Sequence, residues 1–72
     1  MKVKIGDKFV LIKDSHKYIP KGTIIKIVRY YSDSWWEGEI LNKDTQYTGW
    51  DVSEDYLKEN FIPLENKIKK IT

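Results

Sequence analysis

The stretch TIIKIVRYYSDSWWEGEILN, residues 23–42, decides the fold of this 72-residue chain. Residues 23–31 are dense in β-branched and aromatic side chains, which pack well on the pleated surface of a strand. The polar triplet SDS follows at residues 32–34, and a run of alternating apolar and charged side chains begins directly after it. Short runs of this kind, separated by a few turn residues, are typical of antiparallel strands. We therefore predict two strands, one on each side of the SDS turn.

The second of these strands has two different faces. Because successive side chains of a strand point to opposite sides of the sheet, the alternation sorts this segment into two sets. The set that we expect to face inward is Trp36, Gly38 and Ile40. The set that we expect to face outward is Trp35, Glu37 and Glu39. The two adjacent tryptophans are thus predicted to differ, with Trp35 more exposed than Trp36.

The rest of the chain continues in short apolar runs broken by turn residues, which is typical of a small all-β domain. Three further runs predict strands, at residues 8–13, 47–52 and 60–65. Pro63 restricts the last of them to an edge or an end of the sheet, because proline has no N–H for a ladder hydrogen bond.

Two segments between the strands have their own character. Residues 14–22 form a long predicted loop, and SEDYL at residues 53–57 is predicted as one helical turn capped by Ser53. We therefore expect one domain of five short strands at residues 1–65, followed by a short basic tail at residues 66–72.

The alternation within the strands also predicts a core. Phe61 is expected to close one end of it, and one of Tyr30 and Tyr31 is expected to point inward. Trp50 has two interpretations: it shares a strand face with Val52, which places it in the core, unless an irregularity turns it outward beside Trp35. We favour the core position. The other side chains that we expect to be largely buried are Phe9 or Leu11, Ile25, Ile27, Trp36, Ile40, Leu57 and Ile62.

Composition excludes several kinds of site. The chain has no cysteine and a single histidine, His16, so a disulfide or a thiolate metal site cannot form, and no metal or other cofactor is expected. The first ten residues carry four charged side chains instead of the apolar segment of a secretory signal, and no apolar run reaches transmembrane length. A cytoplasmic protein without membrane association is the expectation.

Charge is unevenly distributed along the chain although the net charge is only +2. Residues 1–29 hold eight basic side chains against two acidic ones, and residues 30–59 hold eight acidic side chains against two basic ones. This asymmetry predicts either ordinary salt bridges between neighbouring strands or two opposed surface patches.

Several segments together resemble the Src-homology-3 (SH3) domain: YIPKGTIIKIV, SDSWWEGEIL, YTGW and SEDYL, in this order. The segments GDKFVLI, PKGTIIKI and WDVSEDYLKENFIPL are more similar still to small SH3-like proteins of bacteria and their phages. The resemblance covers about residues 7–65. It implies a five-stranded SH3-like barrel with a helical turn before the last strand, acting as a monomeric interaction module, and a phage or mobile-element accessory protein.

The resemblance also implies a contact surface for a protein or peptide partner. Trp35 matches the tryptophan of the family's ligand groove, Tyr56 matches its tyrosine in the helical turn, and Trp50 matches the aromatic residue before that turn. The tyrosine-rich motif of the first strand is replaced by VLIKD, which disfavours a proline-rich peptide as the ligand. The residues predicted to bind the partner are Trp35, Tyr56, Trp50 and Tyr18.

Two other function classes rank below this one. Weak, sequence-nonspecific binding of nucleic acid is the alternative, because basic and aromatic side chains are interleaved near the N-terminus. An enzyme is not expected, since the paired carboxylates of Glu37 and Glu39 lie on an open strand face where nothing desolvates them. We assign no catalytic residue. The residues that would contact nucleic acid are Lys17, Lys21, Lys26 and Arg29.

Overall fold

The computed structural model describes residues 2–42 and 46–66 of the chain. They form a five-stranded antiparallel sheet of strand order β4-β3-β2-β1-β5 and one short helix before the last strand. The prediction of a mostly β fold is confirmed. Residues 43–45, between the third and fourth predicted strands, and all but the first residue of the predicted tail at residues 66–72 lie outside the described residues. The elements are β1 (Lys8–Leu11), β2 (Ile24–Tyr30), β3 (Trp35–Ile40), β4 (Gly49–Ser53), α1 (Glu54–Asn60) and β5 (Phe61–Pro63).

The predicted inward face of β3 is confirmed at its centre. Gly38 of β3 lies opposite Ile27 of β2 on one side and opposite Trp50 of β4 on the other, so these residues share one face of the sheet. Close packing explains the glycine: a Cβ at Gly38 would lie 3.0 Å from Ile25 Cδ1 and 3.2 Å from the carbonyl oxygen of Trp50. The absence of a side chain at Gly38 therefore lets β2, β3 and β4 pack closely at this point of the inner face.

The inner face builds one buried cluster, which we call the core cluster. Most of the predicted core is confirmed, and Trp36 and Ile40 are partly buried against the cluster. Ile62 is only half-buried: it points to the opposite face of β5 from its neighbour Phe61, which lies opposite Leu11 and enters the cluster. The members of the core cluster are Val3, Phe9, Leu11, Ile19, Ile25, Ile27, Val52, Leu57 and Phe61.

The end of β2 departs from the predicted alternation. The register between β2 and β3 shifts between Ile27 and Arg29, which marks a bulge or irregularity in the ladder. Tyr30 lies opposite Trp36 and shares its inward face, as expected for one of the two tyrosines, but Tyr30 and Tyr31 are both exposed and neither belongs to the core cluster. The Tyr30 ring packs on Trp36, with centroids 4.7 Å apart, and Trp36 in turn packs against the core cluster.

The sheet is not closed into a barrel, and the prediction of a barrel is wrong in this respect. Strands β4 and β5 are the two edges of the sheet and do not pair with each other. The helix α1 connects them and contributes Leu57 to the core cluster, so it covers the region between the edges. The predicted edge position of Pro63 is confirmed, since β5 is only three residues long and pairs with β1 alone.

The helix starts as predicted and ends later. Ser53 caps it, with its hydroxyl oxygen accepting a hydrogen bond from the Tyr56 N–H at 3.2 Å. The helix extends to Asn60 instead of ending after one turn, and Lys58 and Glu54 form an i,i+4 ion pair at 3.3 Å along it. At its end, the Asn60 carbonyl accepts a hydrogen bond from Ile12 N–H, which fastens the helix to the end of β1.

Candidate functional site

An open cavity of about 340 Å³ lies where the β1–β2 loop, the start of β3, the strand β4 and the start of α1 meet. We call it the aromatic cavity. Three of the four side chains that the sequence predicted to bind a partner, Trp35, Trp50 and Tyr56, line it together. The full lining is Ser15, His16, Trp35, Trp50, Asp51, Val52, Ser53 and Tyr56.

Trp35 is held at the cavity by the turn that precedes it. Asp33 and Ser34 both adopt left-handed backbone, with φ of 53° and 65°, which closes the turn between β2 and β3. The carbonyl of Ser34 accepts a hydrogen bond of 2.8 Å from the N–H of Glu54, the first residue of α1. This bond ties the turn before Trp35 to the helix that carries Tyr56, while the Trp35 side chain stays 47% exposed.

Trp50 belongs to both the core and the cavity. Its ring packs edge-on against Phe61 at 5.4 Å and against Tyr56 at 5.6 Å, measured between ring centroids. Its other contact is His16, whose ring centroid lies 5.0 Å away. The sequence left Trp50 either in the core or turned outward beside Trp35. The half-buried side chain does part of each, because it packs on the core cluster and also lines the cavity with Trp35.

The β1–β2 loop forms the opposite wall of the cavity. The hydroxyls of Ser15 and Tyr56, 41 residues apart in sequence, are hydrogen-bonded at 2.8 Å. His16 Nδ1 accepts a hydrogen bond of 3.1 Å from the N–H of Tyr18, which orients the imidazole within the loop. The sequence alone did not predict that Ser15 and His16 would belong to the site, because only the tertiary fold brings this loop to α1 and β4.

Tyr18, the fourth predicted contact residue, lies beside the cavity and does not line it. Its ring is 6.3 Å from His16 and 6.3 Å from Tyr47, and His16 lies 6.4 Å from Tyr47. The three rings form an aromatic rim next to Trp50, and the Tyr18 side chain is 58% exposed. Aromatic surface thus continues from the cavity onto the loop.

A charged network borders the cavity on the outer face of the sheet. Arg29 Nε pairs with Glu37 at 3.0 Å, and Arg29 Nη2 donates a hydrogen bond of 3.0 Å to the Tyr31 hydroxyl. The Tyr31 hydroxyl in turn approaches Asp51 Oδ1 at 3.3 Å. The hydrogen bond with Tyr31 first, and the charge of Glu37 after it, raise the pKa of Arg29 above its usual value. Arg29 is therefore held on the sheet by an acidic partner.

The other predicted nucleic-acid contacts are spread over two elements. Lys26 lies opposite Glu39 and Arg29 lies opposite Glu37 in the β2–β3 ladder, so both basic residues have an acidic residue of β3 as a neighbour. Lys17 and Lys21 lie in the β1–β2 loop, and Lys17 Nζ is 5.4 Å from the centroid of the Tyr18 ring. The structure therefore places two of the four residues on an alternating-charge strand face and two on the loop.

A second, larger open cavity of about 590 Å³ lies between the N-terminal segment and β5, and none of the predicted site residues lines it. Within residues 2–42 and 46–66, no group of three His, Cys, Asp or Glu side chains is placed to hold a metal ion. The helices that the structure describes are too short or too polar to cross a membrane. Comparison with known proteins finds no matching family model, no matching curated protein and no matching solved structure, so the SH3-like resemblance stays a prediction.

Proposed function

We propose that this protein is a non-catalytic interaction module that binds a protein or peptide partner through the aromatic cavity. The observation that carries this proposal is the convergence of Trp35, Trp50 and Tyr56 on one open cavity from three separate elements. Large aromatic side chains supply much of the binding energy at protein interfaces because they offer a large, rigid contact area.

The cavity is also held in place before any partner arrives. The Ser34–Glu54 backbone hydrogen bond fixes the turn before Trp35, and the Ser15–Tyr56 hydroxyl pair joins the loop to the helix. A site that is already ordered loses less conformational entropy on binding. An ordered site with an exposed tryptophan is therefore better suited to binding a partner than to a purely structural role.

The same cavity contains a serine, a histidine and an aspartate, but they are not connected as a nucleophilic triad. The Ser15 hydroxyl is hydrogen-bonded to Tyr56, and His16 Nδ1 accepts from a backbone N–H. Asp51 is approached by the Tyr31 hydroxyl. A triad needs the histidine hydrogen-bonded to both the nucleophile and the carboxylate, so these contacts favour binding over acyl transfer.

The family and the setting are part of the proposal. Five short strands, a long loop after the first strand and a helix before the last strand occur in the order that the SH3 resemblance implies, which supports kinship with small SH3-like proteins. A monomeric accessory protein of a phage or mobile element, working in the cytoplasm, is the role that we attach to this kinship. Nucleic-acid binding is not favoured, because Arg29 and Lys26 face acidic residues of β3.

The test compares two exposed aromatic residues of similar accessibility. Trp35→Ala removes a cavity wall, and Tyr30→Ala removes an exposed ring that does not line the cavity. Each variant and the parent protein are immobilised and exposed to a host-cell lysate, and bound proteins are quantified by mass spectrometry. Binding of duplex and single-stranded DNA is measured by chemical-shift mapping at two salt concentrations.

We expect at least one protein to be retained by the parent and by Tyr30→Ala, and to be lost from Trp35→Ala. We expect this retention to tolerate salt, whereas phosphate contacts weaken steeply as salt rises. DNA binding at about 150 mM salt that charge reversal at Lys21 and Lys26 abolishes would contradict the proposal and favour the nucleic-acid alternative.

A further inference from the structure

The outer face of the sheet carries a row of apolar side chains that the aromatic cavity does not use. Val10 of β1 lies opposite Ile24 of β2 on one side and opposite Ile62 of β5 on the other. The N–H of Leu41 donates a hydrogen bond of 2.9 Å to the Ile24 carbonyl, which continues the row just beyond the end of β3. We call these four residues, Leu41, Ile24, Val10 and Ile62, the outer row.

The outer row lies on the side of the sheet opposite the core cluster. Val10 alternates with Phe9 and Leu11, which enter the core cluster, so its side chain points the other way. Val10 is only 1% exposed, whereas Leu41 is 38% exposed and the other two members are half-buried. A strand that is apolar on both faces is typical of a sheet covered by a further layer on each side. The outer row therefore has the character of a face that receives a second layer.

A charged row borders the outer row, two residues away along each strand. Lys8 of β1 lies directly opposite Lys26 of β2, and Lys26 lies opposite Glu39 of β3. The two salt bridges found among the described residues use neither lysine. Like charges directly opposite each other destabilise a sheet, so an acidic group bound here relieves a repulsion.

The larger cavity, of about 590 Å³, extends this positive border. Lys8 lines it together with Lys2 and Lys4 of the N-terminal segment. Asp7 and Glu65 line it as well, and the Asp7 carboxylate already accepts a hydrogen bond of 2.9 Å from the Lys4 N–H. The surface next to the outer row thus carries more basic than acidic side chains, which favours a negatively charged partner.

We propose that the outer row is a second docking surface, and that its occupant is an acidic amphipathic helix of a partner protein. The row crosses four strands and is about 14 Å long, at about 4.8 Å between strands. Apolar side chains on one face of a helix recur about once per turn of about 5.4 Å. A helix of about three turns laid across the strands therefore places an apolar side chain near each member of the row, and acidic residues on its flank face Lys8 and Lys26.

Charge disfavours two other occupants. The chain's own tail at residues 66–72 contains three lysines and no acidic side chain. A second copy of the chain would bring the same border of lysines. The outer row also shares no residue with the aromatic cavity, so this proposal stands or falls independently of the proposed function.

The experiment titrates two synthetic peptides into the full chain and follows the backbone amide signals by NMR. One peptide repeats Glu-Leu-Glu-Glu-Leu-Leu-Glu twice, and the other has lysine in place of every glutamate. Leu41→Ser removes an exposed member of the row, and Ile5→Ser is its control because Ile5 is exposed and lies outside the row. Lys8→Gln removes a bordering charge, and Lys21→Gln is its control because Lys21 lies in the β1–β2 loop.

We expect the glutamate peptide to shift the amide signals of the outer row, and the lysine peptide to bind at least several-fold more weakly. Leu41→Ser and Lys8→Gln should each weaken binding of the glutamate peptide several-fold, and the two controls should leave it unchanged. Equal binding of both peptides, binding outside the row, or no binding would overturn the proposal.

Two further measurements detect the other occupants. If Ile68→Ser, a change in the tail, shifts the signals of the outer row without any peptide, the tail occupies the row and the proposal is wrong. It is also wrong if sedimentation equilibrium shows a dimer that Leu41→Ser dissociates, because a second copy then covers the row. We expect a monomer, and we expect Ile68→Ser to leave the signals of the row in place.

Discussion

The core cluster is built from apolar side chains, whereas the aromatic cavity combines aromatic rings with polar and charged side chains. The core cluster uses strand interiors, such as Phe9 of β1 and Ile25 and Ile27 of β2. The cavity takes Trp35 from the first residue of β3 and Tyr56 from the first turn of α1, and it shares Val52 of β4 with the core cluster. Strand interiors are placed by alternation, whereas element ends are placed by turns and caps.

This difference separates two kinds of sensitivity to mutation. A residue of the core cluster loses packing on all sides when it is truncated, so the whole fold loses stability. A residue of the cavity has one side open to solvent, so its truncation removes a contact surface and costs the fold less. The five predictions that follow test how sharply the two regions divide.

Ile27→Ala should have the largest effect on stability. Ile27 is fully buried, and truncating a buried isoleucine to alanine costs about 2–5 kcal/mol through lost burial and the cavity left behind. Chemical denaturation followed by far-UV circular dichroism measures the loss. Ile5→Ala is the control, because Ile5 is 66% exposed. Should Ile27→Ala unfold the chain completely, Ile27→Val should still show a loss of about 0.5–1.5 kcal/mol.

Trp36→Ala should cost nearly as much, about 2–4 kcal/mol, because a half-buried tryptophan is removed from the edge of the core cluster. Trp36→Phe should cost less. It keeps an aromatic ring beside Tyr30 and removes an indole N–H that is buried without a hydrogen-bond partner among the described residues. Denaturation midpoints in the order parent, Trp36→Phe, Trp36→Ala are the expected result, and the reverse order of the two variants would contradict it.

Gly38→Ala tests the crowded centre of the sheet, which lies between the two regions. The added methyl would meet Ile25 Cδ1 at 3.0 Å and the Trp50 carbonyl oxygen at 3.2 Å, and overpacking of this kind costs about 1–3 kcal/mol. Gly49→Ala is the matched control, since its nearest contact would be an ordinary 3.5 Å. A thermal melt of both variants checks the difference, and equal melting temperatures would show that β4 moves away freely.

The sequence predicted the core better than the cavity for a physical reason. Alternation along β3 correctly placed Trp36 toward the core and left Trp35 more exposed, because a strand fixes the direction of each side chain by its position. The helix cap at Ser53 could also be predicted from the sequence, since serine before two acidic residues is a local signal for a helix start. The two faces of β3 and the start of α1 both depend on residues that are neighbours in the sequence, so the sequence alone is enough to predict them.

The features that the sequence did not predict depend on distant contacts. The register shift after Ile27 pairs Arg29 with Glu37 and Tyr30 with Trp36, and a bulge has no reliable local signal. The place of His16 in the cavity depends on the loop reaching β4. The open sheet depends on the positions of its two edge strands, β4 and β5, which α1 connects. The convergence of Trp35, Trp50 and Tyr56 was suggested by a family resemblance and not by any pattern within the chain.

Ser53→Ala should have a smaller effect, because it removes one capping hydrogen bond at the start of α1. Loss of an N-cap costs about 1 kcal/mol. The helix start carries Tyr56, so amide hydrogen exchange at Tyr56 should accelerate while exchange in β1 and β2 changes little. Ser53→Asp should restore the cap, since aspartate is an equally good N-cap residue. Uniform acceleration across the sheet would show that the cap supports the whole fold and not the cavity alone.

Trp35→Ala should have the smallest effect on stability, about 0.5 kcal/mol or less, because the side chain is 47% exposed and substitutions at exposed positions cost little. Its effect on partner binding should nevertheless be the largest of the variants that keep the fold. Denaturation measures the first quantity, and retention of the lysate protein measures the second. Trp36→Ala provides the contrast, with a large stability loss at the adjacent residue. If Trp35→Ala instead destabilises the chain as much as Trp36→Ala does, the ring belongs to the core, and the aromatic cavity is a packing feature without a ligand.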